Sequence, residues 1–261
     1  MRELRRKFLK KSGVTIAAGT PLISGVIDNK KGRSLKEAGL AKECENLLKQ
    51  KKHNQAEKLA KYNNVKYDRI KGHFGSVSNK NTTGYGEDGR WSRSNSTYDI
   101  YAAESQRSDE GDLWQVSMGC DLVYHEYSDK TGPVDAMGVS WSDDRWAYEP
   151  GTFYSRDYGS DDDDCIEEWD VDAEGIIVDL DDYCACEQLT NDDDTYEAEF
   201  YMKLEKQEQG EHNLYGHFAH TFLDEGMGSA AVDYAIETAN LSAYTDNGTD
   251  KWVEDTDIIE V

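Results

Sequence analysis

The sequence predicts a mainly β protein, an antiparallel β-sandwich or barrel preceded by a short helical hairpin and a flexible linker. Three observations predict it. From Asp112 onward, short apolar runs alternate with polar residues at a spacing of two, the period of a half-buried strand. Turn-forming groups such as Asp143-Asp144, Pro150-Gly151 and Asp246-Asn247-Gly248 separate several of those runs. Six Trp and 16 Tyr bring the aromatic share to 11%, enough to build a core where a solvated acidic polymer would have little.

The helical part comes first. Leu35, Ala38, Leu40, Ala41, Cys44, Leu47 and Leu48 recur at helical spacing, as do Ala56, Leu59, Ala60 and Tyr62. Lys51-Lys52-His53-Asn54 breaks the pattern, with Asn54 the expected N-cap of the second helix and Asn63-Asn64 its stop. Residues 28–72 therefore read as an antiparallel helical hairpin. Residues 73–111 read as a linker, because 72–95 is rich in Gly, Ser, Asn and Thr and carries no sustained apolar period.

The β-rich domain is assigned to 112–261. Leu113 to Tyr124 alternates, as does Met137, Val139, Trp141; further strands are expected at Gly175 to Leu180, Tyr196 to Leu204, Leu214 to Phe222, Ala231 to Thr238 and Trp252 to Val253. Six or more strands with short connections fit a sandwich or barrel, in which alternating aromatics are chiefly core and cross-strand packing.

Residues 1–27 have a different character. Arg2, Arg5, Arg6, Lys7, Lys10 and Lys11 precede an uncharged apolar stretch from Gly13 to Ile27, the order of a secretory signal. Leu4-Arg5-Arg6-Lys7-Phe8-Leu9-Lys10 resembles the twin-arginine export motif, on Arg5, Arg6, Phe8, Leu9 and Lys10, and departs from it at Leu4, where Ser or Thr is usual. The resemblance implies recognition by the twin-arginine translocase, export of a folded chain, and an extracellular or cell-surface location. The apolar stretch is too short, and too broken by Gly19, Thr20 and Pro21, for the roughly 20 residues a stable membrane span needs.

Charge divides the chain in the same places. Against a formal total of −24, residues 1–27 carry +5 and residues 28–72 carry +7, leaving −36 on residues 73–261. An acidic surface of this density stays hydrated in concentrated salt, where the Debye length falls to about 3 Å and self-repulsion is screened. A halophilic, haloarchaeal type of source is expected, with Asp161–Asp164 and Asp192–Asp194 solvated, and a nucleic-acid partner is disfavoured. The basic hairpin reads as a spacer, a partner-binding arm, or a segment held against the acidic body until it is cleaved.

Candidate chemistry is sparse. Asp170, Asp172, Glu174, Gly175 and Asp181 overlay the calcium-loop pattern, whose spacing converges oxygen ligands on a hard cation, so calcium is the one cofactor considered. The competing reading is a β-hairpin turning at Ala173-Glu174-Gly175. His212, His217 and His220 lie close enough in sequence for zinc, yet on a strand His217 and His220 face opposite sides. Of five cysteines, Cys165 and either Cys184 or Cys186 would close a loop of about 20 residues worth about 3 kcal/mol. No nucleophile elbow, P-loop, dinucleotide fingerprint or zinc-protease helix occurs, and no catalytic residue is assigned.

The functional expectation is a secreted or cell-surface halophilic module that binds or builds and does not catalyse. Two alternatives stand beside it. One is a peptide-antibiotic or toxin precursor whose basic arm and acidic body are separated by processing; the other is a metal-dependent extracellular enzyme using Asp170, Asp172 and Asp181.

Overall fold

The computed structural model describes residues 32–74, 92, 94–108, 111–124, 135–141, 145–157, 165–172, 175–181, 184–185, 189, 195–207, 212–222 and 250–260. The signal-like segment, Ala231 to Thr238, Glu174 and Cys186 lie outside them. Among the described residues two helices, α1 (Ala41–Leu48) and α2 (His53–Tyr62), precede eleven strands. These are β1 (Tyr67–His73), β2 (Thr97–Gln106), β3 (Asp112–Val123), β4 (Asp135–Trp141), β5 (Trp146–Tyr148), β6 (Tyr154–Asp157), β7 (Ile166–Asp172), β8 (Gly175–Leu180), β9 (Thr195–Lys206), β10 (Asn213–Phe222) and β11 (Asp250–Glu260).

The strands form two sheets. One runs β1-β2-β3-β9, with β5 and β6 sharing the outer edge of β9; the other runs β11-β10-β4-β8-β7. All the strand pairings are antiparallel. Alternate residues of the central strands meet between the sheets: Ile100, Val116, Met118, Phe200 and Met202 from one side, Met137, Val139, Val178, Leu214 and Phe218 from the other. The expected sandwich is therefore the observed architecture.

A third layer covers the first sheet. Leu35, Cys44, Leu48, Ala56 and Ala60 of the helical segment pack on Tyr101, Ala103 and Tyr201, the residues of β2 and β9 that point away from the sandwich core. Burial of each large aliphatic side chain here contributes about 1.5–3 kcal/mol. The chain before α1 is tied down as well. Leu35 and Lys36 donate backbone hydrogen bonds to Glu104 and Ser105 at the end of β2 (both 2.8 Å), and Ser34 and Glu37 cap each other reciprocally.

Three expectations change. β1 and β2 lie where the hairpin's tail and the linker were expected, so the boundary at 111/112 falls inside the first sheet. The reason is burial on both faces: β2 is buried at nearly every position, and a strand covered on both sides loses the period of two by which strands are recognised. Helix α2 starts at His53 with Lys52 in the N-cap position and no side-chain cap, not at Asn54, because Lys51 turns the chain with φ of 52°. Its stop is at the expected place, with Asn64 left-handed at φ 52°.

Candidate functional site

The polar cluster that stands out lies beneath the hairpin. On β3 and β9 the residues facing the helices are Gln115, Ser117, Gly119 and Asp121, and Glu197, Glu199, Tyr201 and Lys203, in direct register across the ladder. Such a face normally meets water. Here the loop between α1 and α2 and the first turn of α2 cover it, and a Cβ at Gly119 would stand 3.2 Å from Lys51 Cε and 3.5 Å from His53 Cε1. Glycine at 119 leaves room for the helix entry to sit down on the sheet.

His53, the first residue of α2, is 2% exposed, and Ser117 and Glu199 are fully buried. His53 Nε2 lies 2.7 Å from Ser117 Oγ and 3.5 Å from Glu199 Oε1, and Ser117 Oγ donates to Glu199 Oε1 at 3.1 Å. On its other side His53 Nδ1 stands 3.3 Å from Asp99 Oδ2, an ion-pair distance without hydrogen-bond alignment. Asp99 is gripped in turn by Arg69 through Nε and Nη2, while Arg69 Nη1 reaches Glu57 (2.7 Å) and Asn54 (2.9 Å) on α2. Lys51 bridges Asp121 and Glu197.

Electrostatics follow from this packing. Burial opposes a charge on His53, but Asp99 and Glu199 outweigh it and hold the imidazole above its usual value of 6.5. Burial also opposes a charge on Asp99, and the Arg69 hydrogen bonds together with the facing His53 imidazole overcome it, taking its carboxyl down to about 2. At Glu199 burial wins over His53, Ser117 and Lys51, and its carboxyl is raised.

The order Asp99, His53, Ser117 has the composition of a carboxylate–imidazole–hydroxyl triad, but its hydrogen-bond direction is wrong for attack. A nucleophilic hydroxyl gives its proton to the imidazole. Ser117 Oγ instead donates to Glu199 Oε1, and it stands 2.7 Å from His53 Nε2 on a central strand with no exposure. What the cluster does is hold one imidazole between two carboxylates and so lock α2 to the sheet. Beside it opens a cleft of about 220 Å³ lined by Lys51, His53, Arg69, Lys71 and Glu197 among others.

The residues singled out from sequence are placed elsewhere. β7 and β8 form a tight hairpin in which Asp172 pairs with Gly175 and Asp170 with Ile177. Asp181 sits at the far end, its backbone N–H bonded to Cys165 O at 2.8 Å and its Oδ1 accepting from the Cys184 N–H. Ile177, the backbone partner of Asp170, lies four residues before Asp181, about 13 Å along the strand, so the backbone is that of the β-hairpin; Glu174, the remaining residue of the calcium-loop reading, lies outside the described residues. Among the described residues no group of three His, Cys, Asp or Glu is arranged to hold a metal.

Cys165 is joined to Cys184, with Cα atoms 5.5 Å apart, tying the start of β7 to the turn after β8. Cys44 and Cys120 are buried free thiols, and burial pushes Cys44 up to about 12. The three histidines do not converge: His212 packs edge-on against Trp146 (5.2 Å), His217 Nε2 meets Ser140 Oγ at 2.6 Å, and the buried His220 binds Asp135 at 2.8 Å. His53, Ser117 and Glu199 had no signal in the sequence, since each reads as an ordinary polar residue until the hairpin is known to lie over it.

No family model and no curated protein matches the sequence. Among solved structures, the full-length RrgB pilus protein of Streptococcus pneumoniae aligns at 12% identity over 61% of this chain and 23% of its own, with a TM-score of 0.31. The collagen-binding domain of a Staphylococcus aureus adhesin aligns at 9% identity over 54% of this chain and 86% of its own, with a TM-score of 0.28. The full-length major pilin SpaD of Corynebacterium diphtheriae aligns at 10% identity over 66% of this chain and 49% of its own, with a TM-score of 0.30. This chain spans less than a quarter of the full-length RrgB chain, and superpositions this loose define no family for it.

Proposed function

We propose that this chain is an exported, non-catalytic structural or binding module that works as one three-layered unit at or beyond the surface of a halophilic cell. The observation that carries the reading is the integration of the basic hairpin. Leu35, Cys44, Leu48, Ala56 and Ala60 are all fully buried against the first sheet, and His53 closes a polar network with Ser117 and Glu199. Removing the arm would expose this apolar face and strand a buried carboxylate, so the arm behaves as part of the body. That counts against a precursor separated by processing, just as the spacing of Asp170 and Asp181 counts against a calcium-dependent enzyme.

Export is supported by the resemblance of Leu4 to Lys10 to a twin-arginine signal, and by a disulfide, which persists in oxidising compartments. Among the described residues no helix is long and apolar enough to cross a membrane.

The test is to fractionate host cells and determine the intact mass of the protein. The expected result is a single extracellular or surface species that retains residues 35–261, and its retention in the cytoplasm when Arg5 and Arg6 are both changed to Lys. Recovery of a body lacking the hairpin would overturn the reading.

A further inference from the structure

The cleft beside His53 continues onto α2. Asn54 lies in its wall and also in the wall of a second cavity, of about 380 Å³, which Glu57, Lys58 and Lys61 complete. Arg69, in the first, is ion-paired with Glu57, in the second (2.7 Å), so the two form one groove running from the first sheet onto the helix. Along α2 the exposed residues Asn54, Lys58, Lys61 and Tyr62 stand at i, i+4, i+7 and i+8, a single stripe about 12 Å long. Tyr62 ends it, 87% exposed and the single exposed large hydrophobic residue among those described.

Charge in the groove is unevenly used. Its acids are each met by a cation of the fold, Asp121 and Glu197 by Lys51, Asp99 and Glu57 by Arg69. Lys71 on β1 and Lys58 and Lys61 on α2 are exposed, and none makes an ion pair among the described residues. Lys71 shares the helix-facing side of β1 with Arg69 and is the backbone partner of Asp99, whose carboxylate Arg69 already holds. Three cations are thus left over in one place, in a chain of formal charge −24. Acceptors remain beside them, since 33% of the Asp121 side chain and 44% of the Glu197 side chain are exposed. His53 forms part of the wall, and its buried Nδ1 completes no hydrogen bond among the described residues.

We propose that this groove binds an acidic oligosaccharide, a sugar chain carrying carboxylate or sulfate groups. Its anionic groups satisfy Lys58, Lys61 and Lys71 through charge-assisted hydrogen bonds. Its hydroxyls, which both donate and accept, match Asn54 and the exposed oxygens of Asp121 and Glu197. The apolar face of a sugar ring packs on Tyr62, an aromatic with one polar end. An acidic peptide or a nucleic-acid backbone answers the lysines but brings fewer donors to the carboxylates. At molar salt, with a Debye length of about 3 Å, attraction acts only between groups in contact, so the lysines select by position and not by a long-range field. The proposal deepens the binding side of the module reading and rests on the hairpin staying attached, since α2 forms one wall of the groove.

Titration calorimetry at high salt, on the protein as its host makes it, tests the site. The probes are trigalacturonate and a sulfated heparin tetrasaccharide, with a neutral galactose trisaccharide, oligothymidylate and polyglutamate for comparison. The wild type is expected to bind at least one acidic sugar, and each comparison ligand at least about tenfold more weakly. Lys58→Ala with Lys61→Ala, Lys71→Ala alone and Tyr62→Ala alone should each weaken sugar binding about tenfold, with melting temperatures near that of the wild type. Lys42→Ala with Lys52→Ala removes the same charge from exposed lysines outside the groove and should leave binding unchanged. Three results overturn the proposal: no binding of either acidic sugar, equal loss in the two double variants, or oligothymidylate or polyglutamate bound as tightly as the sugars. Intact mass on the same sample separates the two readings, since loss of residues 28–72 defeats the module reading and an intact chain that binds neither sugar defeats only the groove.

Discussion

His53 is held between Asp99 and Glu199, so its protonation and the docking of α2 are linked. A histidine whose value is raised by folding stabilises fully below its unfolded value of 6.5 and loses that contribution as pH rises through the folded value. Glu199, raised from 4.5, acts in the same direction, while Asp99, lowered to about 2, stabilises above 3.8 and fails only as pH falls toward 2. The melting temperature is therefore expected to be highest at about pH 4 to 4.5, above the unfolded value of Asp99 and below that of Glu199, and to decline as pH rises through the folded values of Glu199 and His53, with Arg69, Glu57, Lys51, Asp121 and Glu197 as the neighbouring charges. His53→Ala should cost about 3 kcal/mol by leaving Glu199 buried without its counter-charge, and the double change with Glu199→Gln should recover part of it. Equal loss in the single and double variants, measured by denaturant unfolding at high salt, would refute the coupling. None of this was visible in the sequence. Ser117 and Glu199 alternate with apolar neighbours as solvent-facing strand residues do, and only the hairpin's position turns that face into an interior.

At the scale of elements, the hairpin's hold on the sheet rests on a few apolar contacts and can be tested at Leu48, which is fully buried against that layer. Leu48→Ala is expected to cost about 2–5 kcal/mol and to increase hydrogen exchange in α1 and α2 more than in β4 or β8. Uniform loosening across both sheets would show that the layers do not separate. The strands that pack one face against the sandwich core and carry long apolar alternations, β3, β4, β8, β9 and β10, were readable within a residue or two of their observed limits. β1, β2, β5, β6 and β7 were not. β5 and β6 are three and four residues long, too short to show a period, and β2 is buried on both sides. The helices were readable from their spacing, but the entry to α2 was not, since it depends on a left-handed Lys51 rather than on a capping side chain.

For the molecule as a whole, the Cys165–Cys184 bridge closes a loop with a sequence separation of 19 at the edge of the second sheet. Its reduction is expected to lower unfolding stability by about 3 kcal/mol while leaving the strand content seen by far-ultraviolet circular dichroism in place, because the bridge lies outside the helix-covered sheet. Loss of the whole fold on reduction would contradict that. A different consequence follows from the ladder between β3 and β9, which pairs twelve residues on each strand, Asp112 with Lys206 through Val123 with Thr195. These partners lie far apart along the chain, and pairings of such long range are slow to form because the intervening loop must first be closed. Tyr201, on which the hairpin rests, belongs to β9. The first described part of the chain to be synthesised thus has no finished surface to settle on until more than 150 later residues have been made, and a docked hairpin is in effect a timer that reads the completion of the first sheet.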